Sequence, residues 1–211
     1  MSDVSIAGTT NPVLKVDNEI AGASAIIVRR SGDHKPGEWV QDKDAVFIGT
    51  FDLVDAYGSS LGIKTDWYDA AIELGKPKTF NDTVNAVANS NTKGRGGLRL
   101  NPARYEAELF EKLKSGEAIG KHVIAPLDVV NGIYELRNEG EYKRRSEGNL
   151  PGKLITTYCG TGDAHWQWSC TPLRNIPDGV RAVDFTDGFV DWLCRDGCRL
   201  SGRACFAGFA L

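Results

Sequence analysis

Three Asp-Gly pairs in the last third of the chain constrain the fold more than any other feature of the sequence. They stand at Asp178-Gly179, Asp187-Gly188 and Asp196-Gly197. Asp-Gly is favoured in tight turns between antiparallel strands, because both residues tolerate a positive φ. The segments between these pairs are rich in β-branched and aromatic residues. The last third is therefore predicted to be an antiparallel sheet, with strands over 154–159, 179–185, 188–193 and 202–206.

Two clear helical patterns lie ahead of this sheet. The first begins at Asn101, a good N-cap followed by Pro102, and runs to Ser115. The second spans 127–138, where apolar residues recur at helical spacing after the extended segment 122–126. The second half of the chain is therefore predicted to be α+β, with two helices and a small twisted antiparallel sheet.

The first half of the chain has weaker patterns. Two runs rich in β-branched and aromatic residues, 23–28 and 45–51, predict strands that we expect to form a hairpin. An acidic first turn and a closing glycine predict a short helix over 66–75, and apolar spacing predicts another over 79–88. The glycine-rich stretch 94–97 lacks the Gly-Lys-Ser/Thr of a phosphate-binding loop, so we interpret it as a solvent loop.

These patterns divide the chain into three parts. Residues 1–20 are polar and contain a breaker cluster, which is typical of an N-terminal arm. Residues 21–99 form a segment of strands and short helices, and residues 100–211 form the α+β domain. The middle segment either completes the same domain or mounts it on a partner.

Composition excludes several classes of function. The chain has 25 basic and 28 acidic residues, a net charge of −3, and its basic residues are spread rather than striped. Nonspecific nucleic-acid binding is therefore not expected. No apolar run approaches the length of a membrane span, and the start lacks the features of a secretory signal. We expect synthesis in the cytoplasm, no nucleic-acid partner and no membrane insertion.

All five cysteines lie in the last quarter of the chain. Cys194 and Cys198 are one residue further apart than in the usual zinc half-site, and His165 is the nearest histidine. An odd number of cysteines in a reducing compartment also argues against a disulfide framework. We therefore interpret the cysteines as small buried residues, and we predict no metal and no cofactor.

The order of the elements in 100–211 resembles the Lcl C-terminal-domain family, a C-type-lectin-like fold of bacterial adhesins and phage-encoded proteins. The resemblance rests on the extended segment and helix of 122–138, on Trp166-Gln167-Trp168-Ser169-Cys170-Thr171, and on the strand segments 183–188 and 202–207. The family's Trp-Arg-Leu-Pro element is missing its Trp and Arg, and Cys170 replaces a serine. Calcium is not expected, because the Glu-Pro-Asn, Gln-Pro-Asp and Trp-Asn-Asp strings of calcium-dependent lectins do not occur.

The resemblance implies a noncatalytic binding module. We expect a phage or prophage virion protein with a receptor-binding or decoration role, whose partners are a protein or glycan on a cell surface or other virion proteins, and which forms a homo-oligomer. Aromatic rings beside charged groups suit such ligands. The candidate binding residues, expected on loops and outer strand faces, are Trp166, Arg181, Asp184, Asp191, Trp192, Arg195 and Arg199. Trp168 and Trp192 are also candidates for the core, since tryptophan is on average well buried, whereas Trp166 is expected at the surface.

Three alternatives stay open. A variable protein of a diversity-generating retroelement would have the same fold with a diversified C-terminal segment. An assembly subunit would use the fold for contacts between subunits and bind no ligand. A formylglycine-generating type of enzyme would use Cys198 and Cys205 as a redox pair beside Arg195, Arg199 and Arg203.

Overall fold

The computed structural model describes residues 28–29, 34–40, 45–74, 76–92, 95–138 and 165–210. The predicted arm over 1–20, the strand over 154–159 and most of the strand over 23–28 lie outside the described residues. Within these residues no helix is both long enough and apolar enough to cross a membrane.

Three α-helices are described, at positions that the sequence predicts: α1 (Phe80–Ala88), α2 (Tyr105–Lys114) and α3 (Leu127–Asn138). The Thr79 side chain caps α1 by accepting from the Asp82 amide at 3.1 Å. Asn101 caps a short 3₁₀ turn that leads into α2, and it accepts from the Ala103 amide at 2.9 Å. The predictions over 79–88, 101–115 and 127–138 are therefore confirmed.

The described strands form three sheets. A five-stranded sheet has the order β1-β10-β4-β3-β2, and all its pairs are antiparallel except β1 with β10. Its strands are β1 (Val28–Arg29), β2 (Trp39–Val40), β3 (Ala45–Val54), β4 (Ser60–Glu73) and β10 (Arg203–Ala210). The other strands are β5 (Asn91–Thr92) paired with β6 (Arg95–Gly96), and an antiparallel sheet of β7 (Trp166–Leu173), β8 (Ile176–Asp184) and β9 (Val190–Cys194). The protein is thus an α+β protein, as predicted.

The C-terminal strand lies within the sheet that the first half of the chain builds. Residues of β10 pair with both β1 and β4. The buried apolar residues of 45–100 and of 100–207 also belong to one cluster. Phe80 illustrates this continuity, since its ring contacts Tyr105 and Trp168 edge-on, with centroids 5.9 and 5.7 Å apart. Segments 21–99 and 100–211 therefore share a sheet and a core.

The prediction of a helix over 66–75 is wrong, because these residues lie mostly in β4. Trp67 and Tyr68 are neighbours on opposite faces of this strand and are both fully buried, so both faces of β4 are covered here. β4 is held between β3 and β10, strands on either side of it in the sheet. The acidic residues that suggested a helical first turn, Asp66 and Asp69, are buried in the sheet instead. Tertiary pairing has overridden the local signal.

Two further strand predictions need correction. Asp178-Gly179 is not a turn, because both residues lie inside β8 and the β7–β8 turn is at Arg174-Asn175. The other two Asp-Gly pairs do lie at turns. The predicted hairpin of 23–28 with 45–51 is also wrong for its described part, since Val28 pairs with Phe209.

Candidate functional site

The outer face of the β7–β8–β9 sheet presents an exposed tryptophan on a regular strand. Trp192 is 43% exposed and stands directly opposite Arg181 in the antiparallel register. Its indole lies over Gly179, where an added Cβ would be only 3.2 Å from Trp192 Cε3. Leu173 and Ile176 flank the same glycine and are half-buried. We call these four side chains, Trp192, Arg181, Leu173 and Ile176, the Trp192 face.

A second aromatic group lies at the end of the same sheet. Trp166 is half-buried and meets Phe189 edge-on, with ring centroids 6.4 Å apart. Phe189 is 58% exposed and was not a sequence candidate. Trp166 pairs with Asp184, three positions after Arg181 on β8. Because side chains alternate along a strand, this group and the Trp192 face point to opposite sides of the sheet.

The two aspartates predicted beside these rings have local structural contacts. Asp184 is 9% exposed, and its Oδ1 accepts from the amide and the hydroxyl of Thr186, both at 2.7 Å. Its Oδ2 lies 3.3 Å from His165 Nε2. Asp191 is half-buried and accepts from the Trp192 amide at 2.7 Å. The expectation of an outward-facing carboxylate is wrong for Asp184, which orders the β8–β9 turn.

The two predicted arginines after β9 have different environments. Arg199 is exposed, as expected. Arg195 is only 5% exposed and donates from Nη2 to the Pro177 carbonyl, so its expected position on the surface is wrong. Its side chain lines a cleft on the inner side of the sheet. The structure therefore places Arg195 apart from Arg181 and Trp192.

The core predictions for Trp168 and Trp192 have different outcomes. Trp168 is 1% exposed, and its Nε1 donates to the Lys78 carbonyl at 3.0 Å, so the core prediction is confirmed for it. For Trp192 the core prediction is wrong. β9 is the edge strand of its sheet, so no described strand lies beside Trp192 on one side, and 43% of its surface is exposed.

The cleft was not predicted. It has a volume of about 830 Å³ and lies between the β3–β4 turn, α2 and the inner face of β7–β8. Glu106 lines it and is 5% exposed. The Thr171 hydroxyl donates to Glu106 Oε1 at 2.5 Å and accepts from the Leu127 amide at 3.0 Å. Glu106 shares the helical spacing of Leu109, Phe110 and Leu113, and that placement on an apolar stripe is the sequence signal that marks it.

The environment of Glu106 favours its neutral form. Burial raises the pKa of the Glu106 carboxyl to about 7, a rise that Asp55 and Asp128 add to and that the hydrogen bond from Thr171 opposes. Burial likewise raises the pKa of the neighbouring Tyr105 hydroxyl and Cys170 thiol. The cleft therefore contains a carboxyl group that titrates near neutral pH.

The cysteines are not arranged as a reactive pair. Cys205 is 1% exposed, and burial together with Asp69 raises the pKa of its thiol. A redox cysteine needs a lowered pKa and access to solvent. Cys194 is exposed and Cys198 is half-buried. Among the described residues, no three His, Cys, Asp or Glu side chains are grouped to hold a metal ion.

Polar residues are buried elsewhere in the molecule. Arg95, in the stretch interpreted as a solvent loop, is 2% exposed and lies over the Phe206 ring at 4.4 Å, so that interpretation is wrong. His122 is 1% exposed, with Nδ1 2.9 Å from Ser90 Oγ. Burial, together with the charges of Arg95 and Lys121, lowers the pKa of His122 to about 4. These residues pack against the five-stranded sheet and line neither the cleft nor the Trp192 face.

Comparison of the sequence with protein-family models and with curated proteins finds no match. The likeness to the Lcl C-terminal-domain family therefore stays a prediction.

Proposed function

We propose that the protein is a noncatalytic binding module with a C-type-lectin-like domain, and that it serves as a virion-associated receptor-binding or decoration protein of a phage or prophage. The observation that supports this most directly is the Trp192 face. An indole that is 43% exposed in the middle of a regular strand leaves a large apolar surface in water. Its position is better explained by a partner that covers it.

The chemistry of the Trp192 face suits a sugar or a protein surface. The indole is a flat apolar ring, held in place by its contact with Gly179. A ring of this kind stacks against the apolar face of a sugar or against an apolar side chain. Arg181, directly across the register, supplies hydrogen-bond donors with a fixed geometry. Tryptophan and arginine are also the residues most enriched at the energetic centres of protein interfaces.

The test combines a binding screen with a measurement of mass. Purified protein is screened against a glycan array and a panel of bacterial cells, and its mass in solution is measured by light scattering. Trp192→Ala and Arg181→Ala should each weaken binding about tenfold or more, without loss of fold, as expected for central interface residues. Arg99→Ala is the matched control for Arg181→Ala, since Arg99 is exposed and lies outside both the Trp192 face and the cleft.

The outcomes separate the binding role from its alternatives. Binding that depends on Trp192 and Arg181 but not on Arg99 supports the proposal. Binding that survives Trp192→Ala would move the site elsewhere, for example to Trp166 and Phe189. If the protein is the variable protein of a diversity-generating retroelement, the same variants should give the same binding results. A reverse-transcriptase gene beside the gene for this protein would identify that case.

An assembly subunit is the second candidate function, because an exposed tryptophan also suits a contact between copies of the chain. In that case the protein binds no glycan and no cell. Trp192→Ala or deletion of residues 1–20 then lowers the number of copies in the assembly, as calculated from the mass in solution. The redox alternative is not favoured by the buried position of Cys205.

A further inference from the structure

Arg195 has an unusual environment for a charged side chain. It is 5% exposed, its Nη2 donates to the Pro177 carbonyl, and its buried Nε–H has no hydrogen-bond acceptor in the described part of the chain. No carboxylate among the described residues forms an ion pair with it. Arginine stays ionised at any ordinary pH, so burial does not neutralise it. A buried guanidinium without a carboxylate partner is stabilised when an anion lies close to it.

The surroundings of Arg195 are open to a small molecule. Its side chain lines the cleft of about 830 Å³, a volume in the range of ligand-binding pockets. The apolar part of the lining includes Tyr57, Leu61, Phe80, Pro172 and Val180, and most of the charged part comes from α2. The cleft thus combines a buried cation with an apolar wall.

From this arrangement we propose that the cleft is a second ligand-binding site, which takes a small carboxylate with an apolar body and binds its carboxylate group at Arg195. The apolar body lies against Tyr57, Leu61 and Pro172. Five carboxylates also line the cleft, so a second negative charge on the ligand would be unfavourable; they are Asp55, Glu106, Glu108, Glu111 and Glu117. The ligand class is therefore a monocarboxylate rather than a dicarboxylate.

This site is independent of the Trp192 face. Val180 lines the cleft, and Arg181, the next residue of β8, belongs to the Trp192 face. Neighbouring residues of a strand point to opposite sides of the sheet. A ligand in the cleft and a partner on the Trp192 face therefore contact different surfaces, and either proposal can fail alone.

The experiment titrates the full chain with phenylbutyrate by isothermal calorimetry, and with phenylbutanol as its neutral counterpart. Arg195→Gln should weaken phenylbutyrate binding at least about tenfold, the loss expected for a hydrogen bond to a charged group. Arg199→Gln is the matched control, because Arg199 is exposed on the same segment and does not line the cleft. Arg199→Gln removes the same charge, and its affinity for phenylbutyrate should equal that of the unsubstituted protein.

A second variant tests the same proposal if Arg195→Gln does not fold. Leu61→Glu places a negative charge in the half-buried cleft wall while Arg195 is kept, and it should also weaken phenylbutyrate binding. Trp192→Ala should leave that binding unchanged. The proposal is overturned if phenylbutyrate does not bind, if phenylbutanol binds equally well, or if Arg199→Gln weakens binding as much as Arg195→Gln.

Discussion

Arg203 and Asp69 form a buried ion pair between residues 134 positions apart in the sequence. Arg203 Nη2 and Nε lie 2.9 and 3.1 Å from Asp69 Oδ2, and the two side chains are 7% and 0% exposed. The pair joins β10 to β4, next to the register point where Cys205 faces Asp69. It therefore connects the last described strand to the first half of the chain inside the core.

Breaking this pair should destabilise the protein strongly. Arg203→Met leaves the Asp69 carboxylate buried without this partner, a change that costs about 3–5 kcal/mol in comparable pairs. Denaturant unfolding measures the effect. Arg199→Met, at an exposed position, should change the free energy of unfolding by less than about 0.5 kcal/mol. Similar losses in the two variants would show that the pair does not contribute to stability in this way.

Gly97 should not tolerate a side chain, whereas its neighbour Gly96 should. A Cβ on Gly97 would lie 1.8 Å from the Val87 carbonyl oxygen, which is backbone at the end of α1 and has little freedom to move. Nothing lies within 4 Å of a Cβ on Gly96. Thermal unfolding should show a loss of about 3 kcal/mol for Gly97→Ala and a change below about 1 kcal/mol for Gly96→Ala. Equal effects would contradict the close approach of β6 to α1.

Glu106 should lower stability as the pH rises. Its pKa is raised from 4.5 to about 7 in the folded state, so the folded protein holds a proton that the unfolded chain has released. The contribution of Glu106 to the free energy of unfolding is complete below pH 4.5 and is lost as the pH rises through 7. Glu106→Gln should remove this dependence. Its free energy of unfolding should exceed that of the parent at about pH 8, by at most about 3 kcal/mol, and a constant difference across this range would contradict the raised pKa.

His122 should have the opposite pH dependence. Its pKa is lowered from 6.5 to about 4, so the unfolded chain takes up a proton before the folded protein does. Its contribution to stability is present above 6.5 and is lost as the pH falls through 4. The free energy of unfolding of His122→Gln, followed relative to the parent from pH 6.5 to 4, should rise as the pH falls. A flat difference would show that folding does not lower the pKa of His122.

Trp168 and Trp192, on opposite faces of the β7–β8–β9 sheet, should differ in their effect on stability. Trp168→Ala removes a fully buried ring that packs edge-on against Phe80, and it should cost about 3–5 kcal/mol. Trp192→Ala should cost less than about 1.5 kcal/mol, because much of the ring is already in water. Urea unfolding of both variants decides this, and comparable losses would place Trp192 in the core.

Local sequence determined the three described helices and several of the strands. Thr79 and Asn101 cap the segments that they precede, because a side-chain oxygen one or two residues ahead of a helix satisfies an otherwise unpaired amide. The apolar spacing of α2 and α3 predicts the faces that they bury. These signals act within one or two turns of the chain, so a single sequence contains them.

Tertiary structure alone decided β4 and the two candidate sites. Residues 66–73 have helical end signals, and they form a strand because β3 and β10, the latter more than 100 residues away, pair with them on both sides. Arg195 and Asp184 look like surface charges in the sequence, and their burial depends on how the turns of the β7–β8–β9 sheet fold back. Trp192 looks like a core residue and is exposed because β9 is an edge strand. Burial depends on contacts between distant segments, and no local pattern of residues specifies those contacts.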